Sequence, residues 1–313
     1  MRLTLIFAAA AGTLPSDWPR QAPALARLLA RGRQLAAEVS LTRLIARAFG
    51  LDDGDGLAAH SLKAEGLAAQ GSAWLRADPV ALHFVQDRLV FLHPADTPLQ
   101  PAEADALAAT LRPYLAAEGL ELFTPHPQRW YLRLPAAFTA PQAAPPDALA
   151  GRAVEAHLPR GMDAAGWRRR LTELQMLLHD HPVNRAREAA GLPVINSLWF
   201  WGGGRPRPPT SPGVTRVLAN HPLACALAAT SGIGCSPPEP EQLARGRTPA
   251  MVILQGQVGT QLSEWDAHWF APILLGLQRG RWREVSVYCT HPLTVASRLH
   301  TWDAYRFWRR PFA

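Results

Sequence analysis

Residues 179–209 read HDHPVNRAREAAGLPVINSLWFWGGGRPRPP and gather two histidines, four arginines, two tryptophans and a triple glycine. Guanidinium groups beside glycine amides are chemistry for a phosphate or a carboxylate, because the planar fork pairs two oxygens while a bare backbone lets an anion approach closely. Arg185, Arg187 and Arg205 are the candidates to pair a ligand's charge. The amides of Gly202, Gly203 and Gly204, with His181, Asn184 and Asn196, are the candidates to orient it. Trp199 and Trp201 are expected to pack rather than touch the ligand. The plainer alternative is a turn anchored by tryptophans, with its arginines on the surface. His179 and His181 differ by about 200° of helical rotation, so they share a metal only if the chain leaves the helix, which the following proline permits. Otherwise they complement the negative end of a helix.

The elements that must position this segment follow from hydrophobic period. Leu3–Phe7 reads as a buried first strand followed by a turn at Gly12, and residues 21–49 as one or two amphipathic helices. GLDDGDGLAAHS resembles a calcium loop but lacks the fifth and twelfth ligands, so a solvated turn is expected. Residues 74–134 give the order β-β-α-β-β: a hairpin turning near Gln86–Asp87, a helix with an acidic first turn, then two strands. A Pro/Ala-rich linker closes that unit. From 163 onward helices and strands alternate. Trp167, Leu171, Leu174 and Leu178 mark one face of a helix that Pro182 must end, and VTRVLANHPLACALAATSG is expected to be wholly helical. The fold class expected is α/β: a mostly parallel sheet flanked by helices, from residues 1–73 and 147–313, with a small α+β domain inserted at 74–146. The glycines then end a strand of the parallel sheet, where open α/β sheets hold ligands.

Composition narrows the classes. The net charge of +7 invites nucleic acid, yet Lys63 is the only lysine and the arginines are scattered, so that partner is disfavoured. A basic run, Arg168–Arg170, and the tail YRFWRRPFA are the places such a role would use. The tail's aromatics also offer a protein partner a surface. Cys225, Cys235 and Cys289 form no CxxC pair, so neither a disulfide framework nor a zinc site is expected, and a reducing cytoplasm is the expected compartment. MRLTLIFAAAAGTLP also has the outline of a signal peptide, which would make the protein exported with residues 1–11 as leader. No apolar run is long enough to span a membrane.

The 179–205 segment resembles the HPVN…N…W-x-W-G-x-G segment of archaeal-type, 2,3-bisphosphoglycerate-independent phosphoglycerate mutases of the alkaline phosphatase superfamily. It is still more similar to RpfE-type regulatory proteins. ADPVALHFVQDRLVFL and FTPHPQRWYLRL resemble the mutases' inserted domain, LAGRAVEAHLPRG the segment after it, and VTRVLANHPLACALAATSGI the helix beyond the glycine loop. The resemblance implies a mutase-like fold, a small phosphorylated acid as ligand and, in an active enzyme, two divalent metal ions. Three departures cut against the metals. Where the family has Asp-Gly after its first strand, this chain reads FAAAAGTL; where it has D-E-A-G-H, the chain reads LQGQVGTQLSEW, with Glu264 the only ionisable group; where it has Asp-His, the chain reads CTHP, keeping only His291. His291 therefore joins the candidate ligand-binding residues, no metal ligand and no cofactor is expected, and the chain reads as a non-catalytic regulatory or ligand-sensing protein. An active mutase or metal-dependent phosphatase is the alternative.

Overall fold

The computed structural model describes residues 1–9, 15–67, 73–92, 94–136, 138–245, 248–256, 258–290, 293–306 and 309. The turn at Gly12, His291 and most of the tail's last residues lie outside this set. Residues 1–50 hold β1 (Arg2–Ala9), α1 (Trp18–Gln21), α2 (Pro23–Arg31), β2 (Arg33–Leu35) and α3 (Leu41–Ala48). Residues 51–208 hold α4 (Leu57–Ala64), β3 (Ala73–Val80), β4 (Leu82–Val85), β5 (Arg88–Phe91), α5 (Pro101–Ala117), β6 (Glu121–His126), β7 (Arg129–Leu134), α6 (Ala164–His179), α7 (Pro182–Ala189) and β8 (Ser197–Trp201). Residues 209–313 hold β9 (Arg216–Leu218), α8 (Pro222–Thr230), β10 (Gly234–Ser236), α9 (Pro240–Arg245), β11 (Ala250–Gly256), α10 (Val258–Trp265), α11 (Ala271–Gln278), β12 (Glu284–Cys289) and β13 (Val295–His300), then a 3₁₀ turn at Thr301–Tyr305.

The chain divides into two compact units, residues 1–50 with 209–313, and residues 51–208. The first is an α/β unit around a seven-stranded sheet of order β10-β9-β11-β1-β12-β13-β2. Five neighbouring strands, β10 through β12, run parallel, and β13 and β2 are added antiparallel. The run Leu3–Phe7 forms β1 near the middle of this sheet, and Leu5 and Phe7 join Leu25, Leu28, Val252, Phe270 and Val287 in its core. Apolar strands buried on both faces are what a parallel sheet requires.

The second unit is antiparallel, with sheet order β6-β7-β3-β8 and the separate hairpin β4-β5. Gln86 and Asp87 take φ of 46° and 62°, the two-residue turn expected of the hairpin. The helix face foreseen on α6 is buried: Trp167, Leu171, Leu174 and Leu178 are at most 6% exposed. Its boundaries, 50/51 and 208/209, differ from the 73/74 and 146/147 expected, because β8 pairs antiparallel with β3, Arg76 opposite Trp201 through Val80 opposite Ser197. The glycine loop thus ends a strand of the antiparallel sheet, and not one of the parallel sheet as expected. The stretch 214–232 is likewise not one helix: Val217 and Leu218 form β9, and Pro222 starts α8 at the first-turn position where a missing N–H costs nothing.

One expectation about the cysteines is corrected. Cys225 on α8 and Cys235 on β10 form a disulfide, with Cα atoms 5.2 Å apart. A spacing of ten residues says nothing until the helix folds back beside its strand. The bond also removes the ground on which the cysteines pointed to a reducing compartment. Closing a loop of this size is worth about 3 kcal/mol in the chain-entropy treatment, so reduction should lower the urea midpoint of unit one, and Cys225→Ser should lower it equally and abolish its response to reductant. No helix among the described residues is long and apolar enough to cross a membrane.

Candidate functional site

Most of the HPVN segment is consumed by architecture. Pro182 ends α6 and opens α7, with His181 as the N-cap between them. The His181 Nδ1 accepts from the Val183 N–H at 3.2 Å, while Nε2 lies 3.0 Å from Thr110 Oγ1 on α5. Asn184 is buried and closes a bracket: its amide donates to Leu178 O and Ile195 O, each at 2.8 Å, and accepts from Ile195 N at 2.9 Å. Arg187, expected to pair a ligand's charge, is instead 2% exposed, donating to Pro193 O at 2.8 Å and pairing with Glu103 at 2.9 Å. Asn196, expected to orient a ligand, spans to β4, accepting from Leu82 N and donating to Leu82 O, both at 2.8 Å. Arg185 and Arg205 are exposed. The three arginines of the expected anion site are therefore not brought together as one buried cluster.

This clasp has a pH signature. Burial, then the charge of Arg185, holds the His181 imidazole below its usual range, and a backbone contact at Ala106 opposes them. Burial also lowers His60 and His126. A base with a lowered folded pKa is protonated first in the unfolded chain, so its contribution is complete above the ordinary value of 6.5 and declines as pH falls from there to the folded value. Urea unfolding should show stability falling between pH 7 and 5, and His181→Asn, which keeps a capping acceptor, should flatten that slope.

The glycine loop follows β8, whose five residues are all buried. As expected, Trp199 and Trp201 pack: their indole N–H groups donate to Ala144 O at 2.9 Å and to Asp78 Oδ2 at 2.7 Å. The Gly202 and Gly203 carbonyls accept from Ala58 N at 2.8 Å and Gly56 N at 3.3 Å, so the loop lies against the 54–58 turn. That close approach is what needs glycine. Gly202 and Gly204 have φ of 67° and 113°. A Cβ on Gly203 would stand 2.5 Å from the Ala140 Cβ, and one on Gly204 would overlap the Gly54 carbonyl. Left-handed backbone at Gly202 and Gly204, and the side chains of Ala140 and Leu75 crowding Gly203, account for the three glycines without a ligand.

Beside them lies a cleft of about 770 Å³, where Gly203 and Gly204 meet Asp53, the strap Thr139–Ala144, His157 and Arg160. The strap is fixed by the Trp167 and Trp199 indoles, which donate to Thr139 O and Ala144 O, and by a two-way bridge between Gln142 and Arg160. Small side chains leave its backbone facing the space, and Asp53, His157 and Arg160 bring both signs of charge, a setting for a small polar ligand. Of the expected residues only Gly203 and Gly204 line it. Asp53, His157 and Arg160 were not foreseen, and the strap reads as a linker because Pro and Ala carry no period.

In the first unit, the segments where a mutase would carry its metal ligands follow neighbouring parallel strands. Ala9 stands in register with Gly256, Phe7 with Cys289, and Thr290 N donates to Phe7 O at 3.0 Å. The segments 7–14 and 289–292 contain no Asp or Glu, and in 254–265 Glu264 is the only ionisable group. Burial pushes the Cys289 thiol up to about 12, away from the thiolate a metal needs. Asp266 is committed elsewhere, accepting from Ala24 N at 3.1 Å and Leu25 N at 2.9 Å. Hard divalent cations demand anionic oxygens, so this donor set does not fit two of them. Among the described residues no three His, Cys, Asp or Glu gather as a metal-holding group.

No model of a known protein family matches the chain. It is 42% identical over 60 residues to a 2,3-bisphosphoglycerate-independent phosphoglycerate mutase of Methanothrix thermoacetophila, covering 19% of this chain and 15% of that protein. It is 33% identical over 98 residues to such a mutase of Methanothermobacter thermautotrophicus, covering 31% and 24%. A probable mutase of Geobacter sulfurreducens matches at 34% over 61 residues, covering 20% and 15%. Among solved structures, a cofactor-independent phosphoglycerate mutase of Thermoplasma acidophilum aligns over 96% of this chain and 89% of its own, with 12% identity and a TM-score of 0.40. A Pyrococcus horikoshii protein aligns over 95% and 85%, with 14% identity and a TM-score of 0.46. Over a fifth to a third of its length, therefore, this chain is related to the cofactor-independent phosphoglycerate mutases.

Proposed function

We propose that this protein is a non-catalytic regulatory or ligand-sensing protein of mutase-like, alkaline-phosphatase-type architecture, as its resemblance to RpfE-type regulators implies. The observation that carries the reading is the scarcity of carboxylates after β1, β11 and β12, neighbours in one parallel sheet, where Glu264 alone stands in place of the several acidic ligands two cations need. Without cations to activate a nucleophile and neutralise developing charge, phosphoryl transfer loses its largest electrostatic contribution. A small phosphorylated acid, if sensed, would bind in the cleft beside Gly203 and Gly204, with Arg160 meeting its charge.

The alternative, an active mutase with two divalent metal ions, draws on the partial identity to enzymes of that name. Phosphorus NMR of 3-phosphoglycerate incubated with the protein and manganese separates the two. No 2-phosphoglycerate should form above the protein-free control; conversion abolished by chelation would establish the enzyme instead.

A further inference from the structure

The net positive charge is not shared between the two units. Residues 1–50 and 209–313 carry seventeen arginines against eight Asp and Glu, whereas residues 51–208 carry fifteen Arg and Lys against seventeen Asp and Glu. The basic run Arg168–Arg170 lies in the second unit and is largely neutralised, Arg169 by Glu118 and Glu173, Arg170 by Glu118 and Asp163. Any partner drawn by charge therefore meets the first unit.

That unit also displays aromatic surface. Trp302 is 83% exposed and Tyr305 51%, and residues three apart stand on one face of a 3₁₀ turn. The Tyr305 hydroxyl donates to Gln278 O at 2.7 Å, which joins this face to the last turn of α11, where Leu275 is 44% exposed one turn earlier. Arg279, directly after α11, is an exposed cation of the same region. The two carboxylates nearby are engaged: Asp303 with Arg306 at 2.9 Å and the His300 N–H at 2.8 Å, Glu284 with His300 at 3.4 Å. Exposed Trp and Tyr beside arginine make up the residue set that dominates protein interfaces, and a rim of one charge sign selects the partner's sign.

We propose that the face formed by Leu275, Trp302 and Tyr305 docks an acidic segment of a partner protein, one that places an aliphatic or aromatic side chain among Asp and Glu residues. A nucleic-acid strand fits it less well, because Leu275 offers no plane for a base to stack on. The inference is independent of whether the protein catalyses anything.

The test selects random twelve-residue peptides displayed on phage against the intact protein, then measures one enriched peptide by fluorescence anisotropy. Enriched peptides should carry an excess of Asp and Glu around at least one large apolar residue. Trp302→Ala should weaken binding at least tenfold with an unchanged melting temperature, since that side chain is mostly in solvent, while Trp302→Phe should stay within about threefold of the parent. Arg279→Glu should weaken binding several-fold, and raising salt from about 50 to 500 mM should do the same. Failure to enrich any peptide, enrichment without acidic excess, or indifference to Trp302→Ala would each overturn the proposal. So would a single-stranded oligonucleotide that binds more tightly than the peptide at equal salt and depends on Trp302.

Discussion

Asp78→Ala is expected to cost residues 51–208 about 4 kcal/mol, most of the stability of a unit at the low end of the ordinary range of about 5–15 kcal/mol. Asp78 is 7% exposed, and its Oδ1 accepts from Arg76 Nε at 2.9 Å, Arg76 Nη2 at 2.7 Å and Trp130 N at 3.2 Å. Its Oδ2 takes the Trp201 indole at 2.7 Å. Arg76 is itself buried between the rings of Tyr131 and Trp201, 4.9 and 5.0 Å from their centroids. Truncation would leave a guanidinium in an aromatic sandwich with no counter-charge and two more buried donors unpaired, and that penalty exceeds what the pair contributes over an apolar replacement. The double variant Arg76→Met with Asp78→Leu should therefore recover much of the loss in urea unfolding. A single variant as stable as the parent would show that the charge is not sealed in.

The second large effect concerns the glycine loop. Gly204→Ala is expected to destabilise the same unit by about 3 kcal/mol, because a left-handed conformation strains any side chain and the new Cβ would also overlap the Gly54 carbonyl. Gly213→Ala is the comparison: φ is +71° there but nothing lies within 4 Å of the added carbon, so only the conformational penalty of about 1 kcal/mol should appear. If Gly204→Ala matched Gly213→Ala, the loop would not be held by backbone contact, and its glycines would be available to a ligand.

Patterns of period three to four and of period two were readable because burial imposes them locally. The α6 face, the 85–88 turn, β11 and β12 all follow from that rule. What was not readable depends on partners distant in sequence. The run SLWFW announces a strand, but nothing in it says whether β1 or β3 is its neighbour. Arg187 looks like an anion ligand until Glu103, from another helix, occupies it. Nothing around Asp78 in the sequence shows that Arg76, Trp130 and Trp201 converge on it. The chemically rich residues share one behaviour: their hydrogen bonds turn inward and close the fold.

Equilibrium dialysis of the metal-stripped protein against manganese addresses the missing donor set most directly. Fewer than 0.2 equivalents should be retained at about 50 μM free metal, with or without 3-phosphoglycerate, since neutral donors hold hard cations weakly. Retention of two equivalents per chain would contradict a sheet edge with Glu264 as its one carboxylate and favour a metal-dependent enzyme.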